Sequence, residues 1–178
     1  NIRLEVGEQD SLTYIAAEKL FMRGDNDGAR RSLVNYLQTF PEGAFSSNAN
    51  FYLGSIAFAK KEFDEAIQRF KSVIASNDTK FLEESVARTA EIEYLNKDYP
   101  AALESFKRLQ IVAENPENKQ AARLGIMRCA LQTGQQKDAL LAADELLKEP
   151  KLSPELEAEA RYVRAKAYID QKQANKAL

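Results

Sequence analysis

Histidine and tryptophan are absent from this 178-residue chain, and cysteine occurs once. Without histidine there is no Ser-His-Asp or Cys-His machinery and no His-based metal motif. The lone Cys129 rules out an internal disulfide. Set between Arg128 and Ala130 in an apolar-periodic segment, it reads as a small core residue. Only 7 glycines and 5 prolines are present, too few for an all-β chain with many tight turns. No apolar run approaches a membrane span, the longest being Ala139–Ala143. Charge of one sign is lacking too: 25 basic and 27 acidic residues are well mixed, and basic residues run no further than pairs such as Lys60-Lys61. That removes the electrostatic reason to expect nucleic acid as a partner. Asp25, Asp27 and Gly28 have part of a calcium-loop spacing, but its first and last ligand places hold Arg23 and Val34, and the loop fails on both. The reading is of a chain with no catalytic residues, no metal and no cofactor.

What remains is rich in Ala, Glu, Leu, Lys, Gln and Arg, a helix-favouring bias. Gly54 sits in mid-helix within Phe51–Phe70, where glycine costs roughly 1 kcal/mol relative to alanine, so packing must require it. Ala29, Ala66, Ala102, Ala139 and Ala177 stack in register at separations of 37, 36, 37 and 38 residues, the sign of a repeat. Each period holds two amphipathic helices. The A helices are expected near 11–23, 46–60, 80–96, 117–133 and 154–171, and the B helices near 26–39, 63–76, 99–113 and 136–148. Gly24, Lys61, Lys97, Gly134 and Lys172 fall at equivalent A-to-B turns. Asn115-Pro116 and Ser153-Pro154 read as N-caps followed by proline at the first helical position, and Asp98 as a cap. The alternation of residues 1–7 suggests an extended segment or the end of an earlier element.

Leu53-Gly54 followed by Ala66 and Phe70 resembles the tetratricopeptide repeat (TPR), whose pattern includes L-G and then A-x3-F. Ala29 and Leu33, Ala102 and Phe106, and Ala139 and Ala143 stand in the same A-x3-F places, while Met127 falls where a small residue belongs. The resemblance implies an all-α fold, a TPR superhelix of about four and a half hairpins. Its repeats would span 10–43, 44–79, 80–116, 117–153 and a truncated 154–178, in a fragment of a longer protein whose incomplete ends can self-associate. It also implies a protein or peptide partner held in a groove lined by A helices. The groove candidates are Tyr14, Glu18 and Phe21, then Asn48, Phe51, Ser55 and Phe58, then Glu91 and Tyr94, then Arg128, Tyr162 and Lys166. For each aromatic, packing between neighbouring helices is the competing role.

Chaperone-tail adaptors of this family resemble one another in a Lys and Asn pair and a Lys and Arg pair. Those places here hold Tyr14, Glu18, Glu84 and Arg88, which argues against that subfamily. The order of B helix, Phe40-Pro41, small polar residues and Tyr52-Leu53-Gly54 is similar to bacterial cell-envelope TPR proteins of the Tol-Pal coordinator and outer-membrane assembly lipoprotein type. That implies a periplasmic or outer-membrane-anchored interaction role, with a cytoplasmic one as the alternative. The competing functions are a structural spacer in a longer solenoid and a regulatory domain of a larger sensor.

Overall fold

A computed structural model of the protein describes the backbone of residues 2–76 and 78–176 and the side chains of residues 5–76 and 78–172. Among the described residues there are nine helices and no strand: α1 (Ile2–Met22), α2 (Asn26–Thr39), α3 (Ser46–Ala59), α4 (Phe63–Ala75), α5 (Leu82–Leu95), α6 (Tyr99–Val112), α7 (Pro116–Gln132), α8 (Gln136–Leu147) and α9 (Pro154–Lys176).

Four turns share one geometry. Gly24, Lys61, Lys97 and Gly134 adopt positive φ of 81, 60, 60 and 71°, and reverse the chain after α1, α3, α5 and α7. In each, the next backbone N–H reaches back five residues: Asp25 to Leu20 at 3.0 Å, Glu62 to Ala57 and Asp98 to Glu93 at 2.9 Å, and Gln135 to Ala130 at 2.8 Å. These bonds satisfy carbonyls that a helix end otherwise leaves unpaired. Asp25 and Asp98 then cap the next helix, accepting the Gly28 N–H at 2.9 Å and the Ala101 N–H at 3.3 Å. Asn115 likewise accepts the Glu117 N–H at 2.8 Å ahead of Pro116. The turn spans only three residues, so consecutive helices must lie side by side as hairpins.

The two termini correct two sequence expectations, the extended segment at one end and the turn at Lys172 at the other. Residues 2–7 are helical, continuous with α1, because Arg3, Leu4 and Glu5 are good helix formers and the pattern is too short to pair as a strand. At the other end no turn forms at Lys172. Gln171 to Lys176 contains neither glycine nor proline, and α9 runs on through it. Ala177, the fifth alanine of the register, lies outside the described residues.

The chain divides into two compact units, Asn1–Ser85 and Val86–Leu178. In the first, Leu33, Tyr36, Leu53, Ile56, Phe70 and Val73 are fully buried. A Cβ placed on Gly54 would lie 2.8 Å from Cε1 of Phe70, so the glycine is the recess that admits that ring. Asp10 is also buried. It accepts the Tyr36 hydroxyl at 2.5 Å and the Ala44 N–H at 2.9 Å, tying α1 to α2 and to the loop before α3.

In the second unit the large fully buried side chains are aliphatic, Ile92, Leu103, Leu109, Met127 and Leu146, set among alanines. Ala102, Ala122, Ala130, Ala139 and Ala143 have no exposed surface, and Gly125 is the recess for the Phe106 ring. Cys129 is buried among them, and burial pushes its thiol up to about 11, which suits a packing residue rather than a nucleophile.

Candidate interaction surfaces

In the first unit, α1 and α3 meet through a polar cluster under an aromatic surface. Tyr14 is buried, stacked on Phe45 with ring centroids 4.5 Å apart. Its hydroxyl donates to Glu18 Oε1 at 2.6 Å and accepts from Asn48 Nδ2 at 3.2 Å. The Tyr52 hydroxyl donates to the same carboxylate oxygen at 3.2 Å. Burial, and next the neighbouring Glu18, hold both phenols above their ordinary value, so they stay neutral donors. Tyr14 and Asn48 are thus beneath the surface, and they position Glu18, which is half-buried at its edge.

Phe21, one turn beyond Glu18, is half-buried with its ring 4.6 Å from that of Tyr52. On α3, Phe51, Ser55 and Phe58 occupy one face and remain half-buried, whereas Tyr52, Leu53, Ile56 and Ala57 are buried. Phe51 stacks on Phe81 at 4.2 Å, and Lys80 lies over the Phe81 ring at 4.8 Å. The Ser55 hydroxyl is turned to its own helix, donating to the Phe51 carbonyl at 2.9 Å. Phe58 lies 6.0 Å from Phe63 across the hairpin turn.

In the second unit each charged groove candidate is engaged in an ion pair. Arg128 forms a forked pair with Glu159, Nε to Oε1 at 2.6 Å and Nη2 to Oε2 at 2.7 Å, linking α7 to α9. That contact lowers the Glu159 carboxyl and raises the Arg128 guanidinium. Glu91 pairs with Arg88 at 3.0 Å, and Lys166 lies 3.6 Å from Asp170. Tyr94 is half-buried, set edge-on to Tyr99 and Phe106, while Tyr162 is 64% exposed. A cleft of about 950 Å³ opens between α8 and the end of α9, with Leu140, Leu141, Asp144, Ala167 and Asp170 in its lining. Leu141, Tyr168 and Ile169 are exposed.

Sequence reasoning missed Asp10, Tyr36, Tyr52 and Glu159. Glu159 lies 31 residues from its partner Arg128, near the repeat period, so register was the signal that could have found it. Among the described residues no group of three or more His, Cys, Asp or Glu could hold a metal ion, and no helix is long and apolar enough to cross a membrane.

A chain of hairpins closed by left-handed turns, with small residues receiving rings, defines a helical-repeat protein. Residues 16–79 match the tetratricopeptide repeat family. The same fold is found in a tetratricopeptide repeat protein from Parabacteroides merdae, at 17% identity and a TM-score of 0.69 over 95% of this chain. This chain covers 64% of the length of that protein. A second likeness is to the MamA protein, at 18% identity and a TM-score of 0.65, covering 96% of this chain and 92% of that one. A third is to the nearly identical TPR-like repeats from Podosopora anserina, at 15% identity and a TM-score of 0.58, over 96% of this chain and 90% of that one. A search of curated proteins matched none.

Proposed function

We propose that the chain is a non-catalytic scaffold that binds a segment of another protein on the surfaces of its A helices. Proteins built on the tetratricopeptide repeat generally mediate protein–protein interaction, and the match over residues 16–79 falls on the unit whose surface suits this best. The observation that carries the reading is the face of α3, where Phe51, Ser55 and Phe58 stay half-buried along two turns. Large rings beside a polar carboxylate offer apolar contact area with directional contacts, the usual composition of a binding hot spot. In the second unit, Tyr162 is the exposed ring, and Glu91, Arg128 and Lys166 contribute a charged surface already ordered by their own pairs.

A photo-crosslinking residue in place of Ser55, expressed in the source cell, is expected to capture one partner segment. That capture should be lost when Phe58→Ala is added, while the helical circular dichroism signal persists. Undiminished capture by the folded Phe58→Ala variant would count against the surface. The order of small residues and Tyr52-Leu53-Gly54 after Phe40-Pro41 supports a cell-envelope setting for this role, periplasmic or outer-membrane-anchored. A second reading, self-association, is favoured by the α8–α9 cleft and the exposed Leu141 beside it. It predicts a concentration-dependent mass in sedimentation that Leu141→Asp abolishes.

A further inference from the structure

The polar cluster of the first unit carries a charge that its surroundings do not balance. Glu18 Oε1 takes two hydrogen bonds, from Tyr14 and Tyr52, and both donors are neutral. Among the described residues, no lysine or arginine lies within ion-pair distance of Glu18. Glu62 and Glu65 are matched with Arg30 and Asp27 with Lys60, whereas Asp10, which like Glu18 is held by neutral donors, is buried rather than at the surface. A half-buried carboxylate without a cation is an unfavourable arrangement unless something else supplies the cation. Phe21 and Tyr52 add ring surface beside it, their centroids 4.6 Å apart.

A carboxylate next to aromatic faces is selective. A guanidinium is planar and weakly hydrated, and it can accept the pull of the carboxylate while lying on a ring, whereas an ammonium loses more hydration on leaving water. Neutral polar groups gain only the hydrogen bond, and an acidic side chain is repelled. We propose that Glu18, held by Tyr14 and Tyr52 beside Phe21, is the seat for an arginine side chain of the partner segment. This rests on the reading of the α1–α3 surface as a peptide-binding surface. It adds what that reading leaves open, the chemistry of the residue that docks there. The competing role for Glu18 is only to tie α1 to α3, and such a tie is indifferent to the charge of a ligand.

The test is a panel of immobilised apolar pentapeptides of varied sequence, each made twice, with arginine or with citrulline at the centre. Citrulline keeps the shape of arginine and removes its charge. The arginine member of retained pairs is expected to bind about tenfold more tightly. The variant Glu18→Gln keeps a hydrogen-bond acceptor for both phenols, and is expected to bind the arginine and citrulline members alike while retaining its helical circular dichroism. Equal retention of the two members by the unsubstituted chain, or an arginine preference that survives Glu18→Gln, would overturn the arginine seat and leave the peptide surface standing. Retention of no peptide would overturn both.

Discussion

Gly54 and Phe70 in the first unit, and Met127 and Ala143 in the second, stand at the same places in the repeat, each pair member offset by 73 residues. All four are buried. In the first unit the A helix is hollow and the B helix brings a ring to fill it. In the second the large side chain is on the A helix and the small one on the B helix. The volumes at the two places are thus exchanged between the units, which close packing permits as long as the sum is conserved. The exchange follows a wider difference. Eleven of the 16 aromatic residues lie in Asn1–Ser85, and only five in Val86–Leu178. A core of rings leaves edges at the surface, as at Phe21, Phe51 and Phe58, and those edges carry the proposed binding surface. In the second unit fewer rings reach the surface and ion pairs link its elements, as Arg128 meets Glu159 and Arg123 meets Glu149 at 2.8 Å; the first unit has such pairs too, between Arg30 and Glu62 and between Lys60 and Asp27.

The largest effect expected is from Phe70→Ala. It empties the Gly54 recess and should cost about 3–5 kcal/mol in denaturant unfolding, with protection lost first in amides of α3 and α4. A cost below about 1 kcal/mol would mean that the ring is not the element filling the recess. A smaller effect tests the exchange itself. Ala143→Phe should overpack the second unit by about 1–3 kcal/mol, and adding Met127→Gly should recover part of it. Additive costs in the double variant would show that Met127 and Ala143 do not share a contact.

Much of the architecture was legible because it is written in local punctuation. Positive φ at Gly24, Lys61, Lys97 and Gly134 falls at the places the alanine register marks, and Asp98 and Asn115 cap as their positions suggest. At the start of the chain the extended alternative fails, because seven alternating residues fit a strand pattern as well as a helix with Arg3, Leu4 and Glu5 in it. The site was less legible, since charge and ring identity do not reveal what a side chain touches. Tyr14 and Asn48 were expected to line a groove, and both side chains are buried. Arg128 reads as a register charge, and its fork is filled by Glu159, a residue of α9. Asp10 could not be singled out, because its hydrogen bond to Tyr36 spans 26 residues.

The smallest effects expected near neutral pH come from one buried or half-buried ionisable group in each unit, at opposite ends of the pH scale. In the first, burial and then Asp10 raise the Tyr36 phenol to about 12, and Tyr14 lies higher still. A raised folded value means that the folded state prefers the protonated phenol. This contribution is complete below the ordinary tyrosine value of about 10 and disappears as pH rises through about 12. In the second unit Arg128 lowers the Glu159 carboxyl. Its contribution is present above the ordinary glutamate value of about 4.3 and is lost as pH falls through the lowered one. The Glu159 side chain is 31% exposed, so solvent screens the pair and the acid-side change is the shallower of the two. Hydrogen exchange should therefore show α7 and α9 loosening first in acid, and tyrosinate absorbance should rise together with loosening of α1 and α2 in alkali. Glu159→Gln should flatten the acid limb alone and Tyr36→Phe the alkaline limb alone. If either substitution changes both limbs equally, the two units titrate as one cooperative structure and the contrast between the Tyr36 and Glu159 environments has no energetic counterpart.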